Sequence, residues 1–166
     1  MSIAQSLLPE FDHEFAVLRT TLERVPDGKF DYKPHEKSMA MGRLAAHLTE
    51  LPGWINTTIE ADELDFATGG STPFVPTTTA ELLAALDAAL AKARPVLAAT
   101  SDDTMMQPWT LRHGDHVILK MPKAVVLRSF VFSHMVHHRA QLGVYLRLND
   151  VPVPSTYGPS ADENNG

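Results

Sequence analysis

The segment RSFVFSHMVHHRAQLGVYLRLN, residues 128–149, decides how the rest of the chain is interpreted. Its apolar residues recur at steps of three and four, which predicts a long amphipathic helix. Three histidines, His134, His137 and His138, interrupt this pattern within five positions. Imidazoles fill a core poorly because each buried ring carries polar nitrogen atoms that need partners. The segment therefore predicts a core helix that also carries a polar site.

A helical wheel places the three histidines at different angles around the predicted helix. Successive residues of an α-helix turn by about 100°, so with Leu127 at zero His134 falls at about −20° and His138 at about +20°. Both lie in the centre of the apolar stripe, whereas His137 lies at its edge, at about −80°. The sequence thus predicts that His134 and His138, one turn apart, point into the protein. The arginines of the segment are predicted on the opposite side: Arg128, Arg139 and Arg147.

Two histidines at positions i and i+4 can share one divalent ion, because their Cβ atoms lie about 5–6 Å apart. Two ligands are too few, so a third is expected from another helix. His47 is the best candidate, since it lies between leucines on their inward side in GRLAAHLTELPGW, residues 42–54. The spacing lacks the glutamate of the H-E-x-x-H motif, which argues against metalloprotease chemistry. The other histidines are predicted in loops or away from the core: His13, His35, His113 and His116.

The alternative is that these are core histidines with ordinary hydrogen-bond partners. A single inward histidine is more often of that kind, but three unpaired imidazoles would each cost about 1–3 kcal/mol. One bound cation would satisfy three nitrogen atoms at once, so the pattern favours a metal site formed by His47, His134 and His138. Three polar residues could orient the rings or could be ordinary surface residues: Glu14, Glu50 and Gln141.

Three further helical patterns precede the last one. Apolar residues repeat at helical spacing over residues 2–25 and over residues 42–60, where Pro52 should bend the helix. Thr78 and Glu81 form a capping box in front of a helix rich in alanine and leucine. Residues 61–77 have no period and are predicted to be a long surface connection, either a functional lid or a plain spacer.

The end of the chain completes the expected architecture. Two short runs around Gly114 and Asp115 predict a small β-hairpin before the last helix, which spans about residues 122–149. Residues 149–166 are expected to form an extended tail, because prolines interrupt them. Four amphipathic helices with one hairpin predict an all-α four-helix bundle, and the length fits a single domain over residues 1–166.

The composition limits the function further. The formal charge of −6 argues against nucleic acid as a partner. The chain has no cysteine, which excludes disulfides, a cysteine nucleophile and thiolate ligands, so thiol chemistry would need a thiol from another molecule. No apolar run approaches the length of a membrane span, and the N-terminus does not resemble a signal peptide. A cytoplasmic protein with no membrane partner is therefore expected.

Three parts of the chain resemble the DinB family: KPHEKSMAMGRLAAHLTELPGW, residues 33–54; SHMVHHRAQLGVYLRLNDVPVPSTYGPSADE, residues 133–163; and the hairpin before the last helix. The resemblance implies a four-helix bundle in up-down-down-up order, often a homodimer. It also implies a three-histidine site for nickel or zinc with open positions for water. The family's ligands match His47, His134 and His138. Its edge histidine matches His137, with a role beside the ligands or on the surface.

The expected chemistry follows from such a site. An ion held by three neutral histidines keeps open positions and would lower the pKa of a bound water or thiol. The resemblance implies a metal-dependent transferase that joins a low-molecular-weight thiol to a small-molecule substrate; a hydrolase is also open. A non-catalytic metal-binding or stress-related dimeric scaffold is the main alternative, and a bundle with satisfied core histidines is the third. Tyr157 is expected to close over the site or to lie at a dimer contact.

Overall fold

The computed structural model describes residues 1–69 and 73–163, which are mostly helical with one small sheet. The first helix, α1, comprises Ile3–Leu22 and begins with a capping box, in which Ser2 and Gln5 satisfy each other's backbone N–H groups. The helix predicted over residues 2–25 therefore forms, although it ends slightly earlier. Its apolar residues are buried along one face: Leu7, Phe11, Phe15, Leu18 and Leu22.

The predicted helix over residues 42–60 is divided into two. α2 comprises Met41–Glu50 and α3 comprises Gly53–Glu60, with Leu51 and Pro52 between them. Proline has no backbone N–H to donate, which interrupts the hydrogen bonds of the helix. Both intervening residues keep right-handed helical dihedral angles, so the chain passes from α2 to α3 without a loop.

The third long helix, α4, comprises Thr79–Ala99. The capping box between Thr78 and Glu81 forms as predicted, which fixes the start of this helix. A short helix that the sequence did not predict, α5, follows at Asp102–Met106 and is capped by the side chain of Ser101. It connects α4 to the sheet.

The sheet has three strands rather than the two of a simple hairpin. β1 (Glu63–Asp65), β2 (Pro108–His113) and β3 (His116–Pro122) lie side by side in that order. β2 and β3 are antiparallel around the turn at Gly114, whose φ is +57°, and β1 pairs with β2 in parallel. The prediction that residues 61–77 are without regular structure is therefore wrong at β1. Three residues are too few to show an alternating pattern. Residues 70–72 of that segment lie outside the described residues.

The last helix is not a uniform α-helix. α6 (Lys123–Val126) leads into a π-helix over Leu127–Ser133, and α7 covers His134–Arg147. A π-helical turn holds about one residue more than an α-helical turn, so later side chains rotate by about 100° relative to the predicted wheel. His134 and His138 are therefore half-buried at the edge of the apolar stripe. The buried face of α7 is made of Met135, Arg139, Leu142, Tyr145 and Leu146.

The same rotation corrects the prediction for Arg139, which was expected to face solvent. Its side chain is only 4% exposed and its Nη1 lies 2.8 Å from the carboxylate of Glu14. The hydroxyl of Tyr157, in the C-terminal tail, accepts a bond of 2.7 Å from Arg139 and donates to the Glu14 carboxylate at 2.9 Å. Because burial and Glu14 both disfavour the phenolate, the pKa of Tyr157 is raised.

The long helices enclose one main core. α4 packs against α1, α2 and α3, and α7 packs against α1 and α2. A smaller apolar cluster of Trp109, Leu111 and Val126 lies between the sheet and the last helix. Since α2 contacts α7 whereas α3 contacts the preceding π-helix, the α2–α3 pair and the last helix run in opposite directions.

Two ion pairs hold the C-terminal tail. Arg24, which follows α1, pairs with Glu163 at 2.6 Å, and Arg147 of α7 pairs with Asp162. Residues 164–166 of the predicted tail lie outside the described residues. In the part of the chain that the structure describes, no helix is both long and apolar enough to cross a membrane.

Candidate metal centre

One face of α2 and α3 carries a stripe of half-buried residues. Residues 41–55 are buried except for the exposed Gly53 and four half-buried residues. These four follow one another at steps of four, three and four: Arg43, His47, Glu50 and Trp54. Residues at these steps lie on the same side of a helix. The α2–α3 pair therefore presents one continuous stripe that is open to solvent.

The last helix presents a matching stripe of half-buried side chains. Phe130, His134 and His138 are half-buried at steps of four, and the exposed Gln141 follows. Because the two stripes run in opposite directions, His47 lies across from His134 and His138. The π-helix ends at Ser133, directly before the first of these histidines, and π-helical turns occur frequently at functional sites.

Three imidazoles meet where the two stripes lie side by side. The Nε2 atoms of His47 and His134 are 3.1 Å apart, and the ring centroid of His138 lies 4.9 Å from that of His47 and 4.6 Å from that of His134. One nitrogen atom from each ring lies within 4.8 Å of the other two. Zinc–nitrogen bonds of about 2.0–2.1 Å would place tetrahedral ligands about 3.4 Å apart. The three rings therefore fit one divalent ion with small movements of the side chains.

Two of the rings have polar neighbours at their other nitrogen. Nδ1 of His138 lies 2.7 Å from Oε1 of Gln141, and Nδ1 of His47 lies 3.5 Å from Oε2 of Glu50. Glu50 is in turn held by both terminal nitrogens of Arg43, at 3.2 and 2.9 Å. Partners of this kind set the orientation of a metal-binding imidazole and leave its Nε2 for the ion.

The electrostatic surroundings favour neutral rings. Burial lowers the pKa of His47, and the neighbouring His138 lowers it further. Burial together with the other histidines lowers the pKa of His134 to about 4. A neutral imidazole keeps a lone pair, which a metal ion requires. The chemistry of these side chains therefore fits a bound cation at neutral pH.

The other candidate residues from the sequence lie elsewhere. His137 is exposed, with its ring 4.9 Å from that of His138, so it lies beyond the edge of the apolar stripe where the wheel predicted it. Glu14, for which the sequence left open a role beside an imidazole or an ordinary surface position, is buried and binds Arg139 and Tyr157 instead. Tyr157 accordingly lies against that ion pair.

Sequence reasoning missed Arg43. The spacing of Arg43, His47 and Glu50 could have indicated its role, because steps of four and three place residues on one helical face. The guanidinium reaches over His47 to hold the Glu50 carboxylate from both terminal nitrogens. It therefore belongs to the surroundings of the candidate site.

These features define a class of protein: a mostly helical domain with three histidines that could hold a metal ion, contributed by two helices. The comparison with known families gives the membership. The chain belongs to the DinB family, whose family model matches residues 1–165.

Two solved structures are similar to the chain in fold. A DinB-like protein from Bacillus cereus ATCC 10987 is 18% identical with a TM-score of 0.73, and the match covers 92% of this chain and 97% of that one. A DinB-like protein from Bacillus subtilis is 19% identical with a TM-score of 0.68, covering 91% and 96% respectively. No curated protein gave a significant match.

Proposed function

We propose that this DinB-family protein is a metal-dependent enzyme that transfers a small-molecule thiol to an electrophile, with His47, His134 and His138 as the metal ligands. The observation that carries the proposal is the meeting of three imidazole nitrogens within 4.8 Å of one another on half-buried side chains. Three histidines leave open coordination positions, which is typical of catalytic rather than structural sites. The ion is zinc or nickel, both of which imidazole ligands suit.

The metal ion and the protein side chains have separate roles in the proposed reaction. When bound, a divalent ion supplies Lewis acidity, which favours deprotonation of a thiol near neutral pH. Gln141 and the Glu50–Arg43 pair orient two of the three rings, and burial keeps His47 and His134 neutral. The chain has no cysteine, so the reacting sulfur belongs to the cosubstrate.

With a chloride-bearing electrophile the reaction is a substitution. The sulfur forms a bond to the electrophilic carbon, and the carbon–chlorine bond breaks with its electron pair on chloride. The thiol proton passes to the solvent. The products are a thioether, chloride and a proton, so no oxidant or reductant is needed.

We also propose the finer features that the family resemblance implies. Residues 1–166 act as one domain, in which α1, α2–α3, α4 and the last helix form an up-down-down-up bundle. The protein is a cytoplasmic homodimer. Sedimentation at micromolar concentration tests the dimer, because a monomer mass across the concentration range would contradict it.

Metal uptake is the first test. Protein freed of metal and dialysed against zinc or nickel should bind about one ion per chain, as elemental analysis would show. His134→Ala should lose this binding and keep its far-UV circular dichroism. His137→Ala is the matched control, since it removes a neighbouring imidazole outside the triad. Equal losses in both variants, or no uptake by the wild type, would rule out the proposed ligand set.

Turnover is the second test. Metal-loaded protein should couple monochlorobimane to at least one member of a panel of cellular thiols, and metal-free protein and His134→Ala should not. Full metal binding without turnover of any thiol would refute the transferase and leave a non-catalytic metal-binding scaffold.

A further inference from the structure

Hydrogen bonds join the last helix to the α2–α3 pair and its flanking residues on both sides of the triad. In the part of the chain that the structure describes, Lys123 and Tyr145 make all such bonds apart from the contact between the histidines themselves. Lys123 lies at the start of the last helix, eleven residues before His134, and Tyr145 lies seven residues after His138. The two residues therefore bracket the triad.

Lys123 is a buried lysine whose ammonium group is fully bonded. Its side chain is 3% exposed, and a lysine is almost never buried to this degree without partners. Its Nζ donates to the carbonyl oxygens of Ile59 and Ala61, at 3.0 and 2.8 Å, and to the carboxylate of Asp62 at 3.1 Å. An ammonium group can donate three hydrogen bonds, so these three acceptors use it completely.

The position of Lys123 is explained by α3 rather than by its own helix. A cation in the first turn of a helix is unfavourable, because the N-terminal end carries a partial positive charge. The last carbonyl groups of α3 carry the opposite partial charge and lack partners within that helix. The ammonium group satisfies them, and the backbone N–H of Lys123 donates to the carbonyl of Gln107 at 2.9 Å. The start of the last helix is therefore fixed against the end of α3.

The distances from this contact to the histidines are similar along both elements. Ile59 lies twelve residues after His47, and His134 lies eleven residues after Lys123. At about 1.5 Å per residue these separations are about 18 Å and at most about 17 Å, because the π-helix fits more residues into each turn. Since the two elements run in opposite directions, the contact at Lys123 brings His134 level with His47.

Tyr145 makes the second contact, beyond the triad. Its hydroxyl donates to the carbonyl of Met39, which precedes α2, at 3.0 Å, and its ring stands edge-on to that of Tyr32 at 6.2 Å. Packing also holds α2 against α7, but the hydrophobic effect is non-directional and does not by itself fix one lengthwise position. Hydrogen bonds depend on distance and angle, so the two contacts can fix that position.

We propose that Lys123 and Tyr145 are positioning residues, which set the register of the last helix against the α2–α3 pair and thereby bring the three histidines together. A slip of one residue would move an imidazole by about 1.5 Å. Ligand distances in a metal site vary by only about 0.2 Å, so such a slip would disrupt the ligand set. The consequence for metal binding rests on the proposed function, whereas the register itself does not.

Distances between two spin labels test the register in metal-free, full-length protein. The chain has no cysteine, so Gly53→Cys and Val144→Cys provide the only two labelling sites. A Cβ added at Gly53 has open space around it, and Val144 is 58% exposed. Lys123→Met and Tyr145→Phe should each broaden the distance distribution, and together they should shift or broaden it by about 1.5 Å or more. A loss of stability alone would leave the distances within the folded protein unchanged.

Zinc affinity, measured by competition with a chelating dye, tests the consequence for the metal site. Lys123→Met should weaken binding by about tenfold or more, because the ligands on the two elements no longer lie level. Tyr145→Phe removes one hydroxyl and keeps the ring, so it should weaken binding by about threefold. Lys120→Met is the matched control, since Lys120 is an exposed lysine of β3. It should keep both the distances and the affinity of wild type.

The inference is overturned if the double variant keeps the wild-type distance distribution, if it binds zinc as tightly as wild type, or if Lys120→Met changes either quantity as much. If Lys123→Met does not fold, Tyr145→Phe decides the matter by the same two measurements. If wild type binds no zinc, the proposed metal site fails, and the label distances still show whether the two residues set the register.

Discussion

Glu50 contacts the ring of His47 and is itself held by Arg43. Its Oε2 lies 3.5 Å from Nδ1 of His47, and both of its oxygens are held by Arg43. A carboxylate in this position favours the tautomer with hydrogen on Nδ1, which leaves Nε2 free for an ion. Because the two residues lie one turn apart on α2, this arrangement follows from the helix itself.

Glu50→Ala should weaken zinc binding by about 10–100-fold, because the ring of His47 loses the partner that orients it. Competition with a chelating dye measures the affinity. Glu60→Gln is the control, since Glu60 is an exposed carboxylate on the adjoining α3. The role of Glu50 is refuted if its replacement leaves the affinity unchanged or if the control variant loses as much.

The lowered pKa of His134 predicts how acid affects the metal-free protein. That pKa is about 4 in the folded state, against 6.5 as the ordinary value. As pH falls below 6.5 the unfolded chain takes up a proton before the folded chain does, so the free energy of unfolding decreases until about pH 4.

His134→Gln removes this titration and should lose less stability than wild type between about pH 7.5 and pH 4.5. Urea unfolding at several pH values measures the difference, and titrating groups away from the histidines cancel because both proteins share them. Parallel stability profiles for the two proteins would contradict the assigned shift.

At the scale of elements, the contact between α1 and α7 contains a buried ion pair. Glu14 and Arg139 have side-chain exposures of 10% and 4%, and their charged atoms lie 2.8 Å apart. The tail adds Tyr157, whose hydroxyl bonds to both. Removing one charge leaves the other buried without compensation, which costs far more than breaking a surface pair.

Glu14→Ala should lower the free energy of unfolding by about 3–5 kcal/mol. Asp12→Ala is the control on the same helix, because the Asp12–Arg94 pair is about half exposed and its loss should cost about 1 kcal/mol or less. Urea unfolding measures both. A cost for Glu14→Ala no larger than that of the control would contradict the importance of the buried pair.

Some features of the helices were predicted correctly from the sequence, and others were not. The capping box at Thr78 and the disturbance of the helix at Pro52 are local effects, so a few neighbouring residues were enough to predict them, although Pro52 divides the helix rather than only bending it. The π-helix over Leu127–Ser133 has no comparable local signal. Its effect was to rotate α7, which buried Arg139 and moved His134 and His138 to the edge of the core.

At the scale of the whole molecule, the triad connects two segments that are distant in sequence. His47 belongs to α2, whereas His134 and His138 belong to α7, and these helices pack side by side. An ion bound only by the folded protein stabilises it by mass action. Metal binding should therefore join the α2–α3 pair to the last helix.

Free zinc at about one hundred times its dissociation constant should stabilise the folded protein by about 2.7 kcal/mol. Thermal unfolding would detect this as a rise in Tm. His134→Ala should show no rise, and magnesium should have no effect on wild type, since it prefers oxygen ligands. An equal rise in Tm for the variant would show that zinc binds at another place.

The sequence by itself determined the long helices, the turn at Gly114 and the placement of His134 and His138 one turn apart on the last helix. These depend on periodicity, capping and spacing, which are properties of neighbouring residues. Only the tertiary structure decided the pairing of β1 with β2, the burial of Arg139 against Glu14 and the approach of His47 to His134. The physical reason is that these contacts join residues far apart in the chain, and their energies depend on which surfaces pack together.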